Sequence, residues 1–109
     1  MEIVDAARLK RFHAEHPELV SELVELFATS TPPILDELRR AASDENRAVL
    51  GGSAHQLRGG SRSVGANRLA ELAHQIEIAQ SATPEQLEAL ERVFEETRDA
   101  LFAAIGGDR

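Results

Sequence analysis

The chain has 109 residues and a mass of 11.9 kDa, enough for one domain spanning residues 1–109 and too little for a second core. Twelve Lys and Arg stand against nineteen Asp and Glu, and the resulting net charge of −7 argues against nucleic acid or an anionic membrane as the main partner. Cysteine, Trp and Tyr are absent, which removes disulfides, thiolate metal sites and cysteine nucleophiles and leaves little material for stacking bases or sugars.

The opening residues carry Glu2, Asp5, Arg8, Lys10, Arg11 and Glu15 and do not read as a secretion signal. No stretch approaches the roughly 18 apolar residues that cross a bilayer, so a soluble cytoplasmic protein is expected. Helical spacing runs through the sequence and no alternating run argues for a strand, so the fold class is all-α. A short first helix is predicted over about 5–15, with Asp5 as N-cap and Leu9 and Phe12 as its apolar contribution. His16-Pro17 ends it and offers Pro17 as the first residue of the next.

The second helix is predicted over about 17–42, with an inward stripe of Leu19, Leu23, Leu26, Phe27, Ile34 and Leu38. Pro32 and Pro33 interrupt it without shifting the apolar phase, which predicts a kink or a restart capped by Ser30 or Thr31. The third, over about 45–64, buries Leu50, Ala54, Leu57, Ser61 and Val64, and Gly65 stops it. Asn67 is the predicted N-cap of a fourth helix over about 67–81, with Leu69, Leu72, Ala73 and Ile76 inward. Thr83-Pro84-Glu85-Gln86 is a capping box opening a fifth helix over about 84–105. That helix turns Leu87, Leu90, Val93, Phe94, Leu101 and Ile105 inward and ends at Gly106-Gly107. Four long amphipathic helices joined by short turns predict an up-down-up-down antiparallel four-helix bundle, with the short first helix at one end.

The third helix carries four glycines, Gly51, Gly52, Gly59 and Gly60, each unfavourable by about 0.8–1 kcal/mol relative to Ala. At about 100° per residue His55 lies about 140° from the centre of its buried stripe and should face solvent. Gly51, Gly52 and Gly59 lie within one turn of it and clear the surface for another molecule, while Arg58 and Arg62 can accept added negative charge. Residues 54–74 hold Arg58, Arg62 and Arg68 against Glu71 alone, a local positive sign within an acidic chain. Imidazole titrates near pH ~6.5, so at neutrality one ring nitrogen has a lone pair able to attack phosphorus. His13, His16 and His74 read as ordinary surface histidines.

The run AHQLRGGSRSVGANRLAELAHQIE, residues 54–77, resembles the signature of histidine-containing phosphotransfer (HPt) domains. That signature has A-H-x-L-K-G, a short run, G-A, a leucine-rich stretch and a closing Glu. The resemblance implies that His55 accepts a phosphoryl group from a receiver's aspartyl phosphate, or from a histidine kinase, and passes it to another response-regulator receiver. It implies that Arg58, where the family usually has Lys, steadies the phosphoryl group, that Gly59 gives clearance, and that Glu77 orients the imidazole by accepting from its other nitrogen. Gly51, Gly52, Gly59 and Arg62 would then belong to the partner-binding surface. No cofactor is expected on this chain. Magnesium would reside on the receiver, the interface would be small and transient, about 1,200 Å² or less, and the protein a monomer. Exposed apolar residues beside the histidine, from the first helix, would complete the docking surface.

Other chemistries fit less well. A kinase phosphoacceptor helix would continue H-E-[LI]-[RK] with Thr-Pro, which is missing after Arg58, and the length leaves no ATP-binding domain; a module from a chemotaxis-type kinase remains an alternative. A di-metal carboxylate bundle needs two Glu-x-x-His motifs and only Glu71-Leu72-Ala73-His74 is present, so no metal site is expected. The glycine-rich run lacks the Gly-Lys-Ser/Thr of a P-loop, and Ser61 and Ser63 lack a nucleophile elbow. The competitor from another class is a helical adaptor that binds receivers without carrying phosphate.

Overall fold

The computed structural model describes residues 2–106, which form five helices and no strand: α1 (Ala6–Glu15), α2 (Pro17–Ser43), α3 (Arg47–Ser63), α4 (Asn67–Ala79) and α5 (Pro84–Ala104). Each boundary has a local cause. Asp5 caps α1 by accepting from the Arg8 backbone N–H at 3.2 Å, and Asn46 caps α3 by accepting from Val49 N–H at 3.2 Å. Thr83 and Gln86 exchange both bonds of the predicted capping box on α5.

Helix ends shift from expectation where the backbone turns left-handed. Glu45 has φ 54°, so α3 begins at Arg47; Gln80 has φ 51°, so α4 stops at Ala79. The N-cap of α4 is Ala66 instead of Asn67: the carbonyl of Ala66 accepts from Ala70 N–H at 3.0 Å, and its methyl lies fully buried where a carboxamide would lose its water. Gly65 supplies the turn before it at φ 74°. Of the predicted Gly106-Gly107 stop, Gly106 is left-handed at φ 71°, and Gly107 lies outside the described residues.

α2, α3, α4 and α5 pack in a closed ring, each against the next and α5 against α2, in up-down-up-down order. α1 lies across one end, packing on α2 and α5. The backbone N–H of Asp5 donates to Gly65 O at 3.1 Å, which ties the entry of α1 to the α3–α4 turn. At about 1.5 Å per residue the 27-residue α2 spans about 40 Å, and this helix sets the 44 Å long axis of the molecule.

The core joins Val24, Leu38, Ala54, Leu57, Leu69, Ala73, Ile76, Leu90, Val93 and Leu101, with the Phe27 and Phe94 rings 5.7 Å apart between α2 and α5. Each buried Leu or Val contributes about 1.5–3 kcal/mol by leaving water. Two threonines enter this core without loss, because the Thr31 and Thr97 hydroxyls donate to the carbonyls of Phe27 and Val93, each at 2.6 Å.

α2 departs from its predicted face. The buried line is Val20, Val24, Phe27, Thr31, Leu35 and Leu38, with Ile34 half-buried, whereas Leu19, Leu23 and Leu26 are exposed; Phe12 of α1 is exposed as well. The apolar arc of α2 is wider than the seam that α3 and α5 can cover, so one of its two adjacent rows must remain outside. The helix also runs without restart through Pro32 and Pro33, and Thr31 bonds backwards to Phe27 instead of capping a new helix. Both prolines are exposed, which places the ladder bonds they remove on the solvent side.

Candidate functional site

α3 is held on its inner face by Leu50, Ala54, Leu57 and Ser61, all buried, and this registers His55 outward at mid-helix. The imidazole is 66% exposed and reachable by another molecule. Gly52 and Gly59, one turn to either side, have nothing within 4 Å of where a Cβ would stand, so the backbone is uncovered at these two positions. Gly51 differs from expectation. It is buried, and a Cβ there would lie 3.4 Å from the Gln80 side chain, so this glycine serves the close approach of the α4 C-terminus.

One edge of the His55 ring is anchored. Its Nδ1 lies 2.7 Å from Glu77 Oε2, and since a carboxylate only accepts, Nδ1 carries the proton and donates it. The Nε2 atom keeps the lone pair. Glu77, only 23% exposed, approaches from α4, and Arg58 Nε stands 3.0 Å from its other oxygen, Oε1. This is an ion pair without an aligned hydrogen bond, and Oε1 is otherwise a buried acceptor with no donor. The hydrogen bond from His55 holds the Glu77 carboxyl below the ordinary glutamate range; partial burial opposes this, and the charges of Arg58, His55 and His74 add to it.

The guanidinium of Arg58 is therefore engaged with Glu77 on the Nδ1 side of the ring, with Nη2 3.4 Å from His55 Nδ1. His74 joins the group, although its sequence context reads as an ordinary surface residue. Its Nδ1 is 3.4 Å from Arg58 Nη1 and 3.9 Å from Glu77 Oε1. The available signal was its position three residues before Glu77, which puts both on one face of α4. Arg62 is exposed and stands apart from the carboxylate, lining with Arg58, Asn67, Ala70, Glu71 and His74 an open cavity of about 240 Å³ between α3 and α4. Among the described residues no cluster of three or more His, Asp or Glu could hold a metal ion.

An outward histidine, a carboxylate behind it and glycines beside it are thus assembled from residues 52–77 in two packed helices. The family model described as Hpt domain matches residues 22–100. The chain belongs to the Hpt domain family. The crystal structure of histidine-containing phosphotransfer protein B (HptB) from Pseudomonas aeruginosa PAO1 shares the fold of this Hpt domain. The TM-score is 0.86 at 22% sequence identity, over 98% of this chain and 97% of that one. No curated protein sequence matches the chain.

The exposed apolar row of α2 borders the α3 face beside the one that carries the histidine in this Hpt domain. Leu23 and Leu26 share a surface hollow with Gln56, Leu57, Gly60 and Ser63 of α3. Leu23 also lines an adjoining groove of about 300 Å³ with Phe12, His16, Leu19 and Val64. Apolar surface therefore continues from α1 across α2 to the residue that follows His55. No helix among the described residues is long and apolar enough to cross a membrane.

Proposed function

We propose that this Hpt domain carries a phosphoryl group on Nε2 of His55, taken from the aspartyl phosphate of a receiver domain or from a histidine kinase and passed to a second receiver. The observation that carries the reading is the 2.7 Å contact from Nδ1 to Glu77, which leaves Nε2 as the nucleophilic nitrogen on an exposed ring. In the transfer, the Nε2 lone pair attacks phosphorus, the N–P bond forms, and the P–O bond to the aspartate breaks with the electron pair leaving on that carboxylate. Nδ1 keeps its proton, so the phosphorylated ring is an imidazolium, and the Glu77 carboxylate beside it is the counter-charge. The second transfer runs the same steps in reverse.

The receiver would supply the magnesium ion and most of the electrostatic stabilisation, and this chain an aligned nucleophile. The receiver is the occupant that fits the apolar row of Phe12, Leu19, Leu23 and Leu26. That row reaches Gln56, the residue after the histidine, and a partner seated there would bring its own aspartate over Gly52 and Gly59. Arg58 would have to turn from Glu77 toward the ring's outer edge to meet the phosphoryl oxygens, a movement of a long side chain that is 25% exposed. A monomer working in the cytoplasm is the form this chemistry asks for, since the partner must reach the ring by diffusion.

Incubation with a phosphorylated receiver should place acid-labile, alkali-stable phosphate on the wild-type protein and none on His55→Gln. Equal labelling of the variant would contradict the assignment. Absence of label with every donor would leave a helical module that binds receivers without carrying phosphate.

A further inference from the structure

Resting on the phosphoacceptor reading above, we infer that His74 is a positioning residue of the transfer: it is the alternative partner of both Arg58 and Glu77, and it holds the carboxylate when Arg58 turns to the phosphoryl group.

Three nitrogen-bearing side chains converge on Glu77 from two helices. His55 satisfies Oε2 at 2.7 Å, whereas the other oxygen, Oε1, is buried with an ion-pair neighbour but no aligned donor. Two nitrogens stand near it, Arg58 Nε at 3.0 Å and His74 Nδ1 at 3.9 Å. His74 Nδ1 is also 3.4 Å from Arg58 Nη1. A guanidinium can only donate, so toward Arg58 this nitrogen presents its lone pair and the ring's proton sits on Nε2. Exchange of that proton through water onto Nδ1 turns the same atom into a donor facing Oε1. The ring is 40% exposed, so water reaches it, and closing the gap from 3.9 Å to hydrogen-bond length asks for about 1 Å of side-chain movement.

The two settings correspond to the two tasks asked of Arg58. With Arg58 on Glu77, His74 accepts from the guanidinium and fixes its orientation. When the incoming phosphoryl group draws Arg58 away, Oε1 would become a buried carboxylate oxygen with no cation beside it, and His74 is the remaining group within reach. Glu77 then stays oriented and charged, and the Nδ1–H of His55 stays aligned through the step in which the ring gains positive charge. Without an acceptor and donor at position 74, departure of Arg58 would loosen Glu77 and with it the imidazole.

The test compares His74→Leu, which can neither accept nor donate, with His74→Gln, which can do both. His74→Leu should slow transfer between His55 and a receiver roughly three- to tenfold, the effect of one lost hydrogen bond at a partly exposed site. His74→Gln should stay within about twofold of wild type, and both should melt within a few degrees of it, as expected of a partly exposed site. Nitrogen-15 spectra of the unphosphorylated protein should show the Nδ1–H form of His55 in Arg58→Ala, where His74 is the group left to hold Oε1, and a mixture of tautomers in Arg58→Ala/His74→Leu. Transfer at the wild-type rate in His74→Leu would overturn the proposal, as would a His74→Gln protein as slow as His74→Leu or a mixture of His55 tautomers already present in Arg58→Ala. The spectral comparison needs no phosphate, so it decides the role of His74 even if labelling shows that His55 is not the acceptor.

Discussion

At the scale of single residues, the site divides one imidazole into two unlike edges. The Glu77 side fixes the ring and the proton; the open side carries the lone pair. Because the folded protein holds the Glu77 carboxyl below its ordinary range, Glu77 adds stability that is whole above that range and is lost as pH falls through the lowered value. Denaturation of wild type and Glu77→Gln should therefore differ most near neutrality and converge as pH falls below the lowered value. A stability difference that grows on acidification would contradict the ion-pair description.

Gly59 offers a second residue-level check. Its absent side chain faces open space, so Gly59→Leu meets no clash and should raise helix stability by about 0.5–1 kcal/mol. Bulk one turn from the imidazole should at the same time slow transfer on the order of a hundredfold, the usual cost of displacing a reacting pair. Unchanged transfer rates would mean that the partner does not approach over this surface.

At the scale of elements, α3 and α4 were legible from sequence because one short run carries both the buried stripe and the site: His55, Arg58, Gly59 and Glu77 fall where the motif puts them. Residues whose role depends on a neighbouring helix were not legible. Gly51 stands one turn from His55 and reads as clearance, yet the left-handed Gln80 folds its side chain over it. His74 reads as an ordinary surface histidine, and only the packing of α3 brings Arg58 against it. In α2 two apolar rows compete for one seam, and only packing against α3 and α5 decides that Val20, Val24 and Phe27 go in while Leu19, Leu23 and Leu26 stay out.

That surplus row gives α2 a testable role. Leu26 is 61% exposed, so Leu26→Glu should change stability by no more than about 0.5 kcal/mol. Buried against a receiver docked on this apolar row, the new charge should weaken binding and lower transfer at limiting receiver concentration while leaving the saturated rate near wild type. Equal loss of both would point to damage at the imidazole instead of the docking row.

At the scale of the whole molecule, the bundle is a rigid handle for one atom. A closed ring of four helices, with α1 sealing an end, presents α3 at constant height, and the positive residues around His55 stand on an acidic chain of net charge −7. The surface of α5 carries Glu85, Glu88, Glu91, Glu95, Glu96 and Asp99, so the charge is unevenly spread and an acidic partner is repelled from that helix more than from α3. The most direct measurement of the central claim is nitrogen-15 and phosphorus-31 spectroscopy of the protein after transfer from a phosphorylated receiver. One phosphorylated residue is expected, His55, with phosphorus bonded to Nε2 and the proton retained on Nδ1. Phosphorus on Nδ1, or on any other side chain, would contradict it.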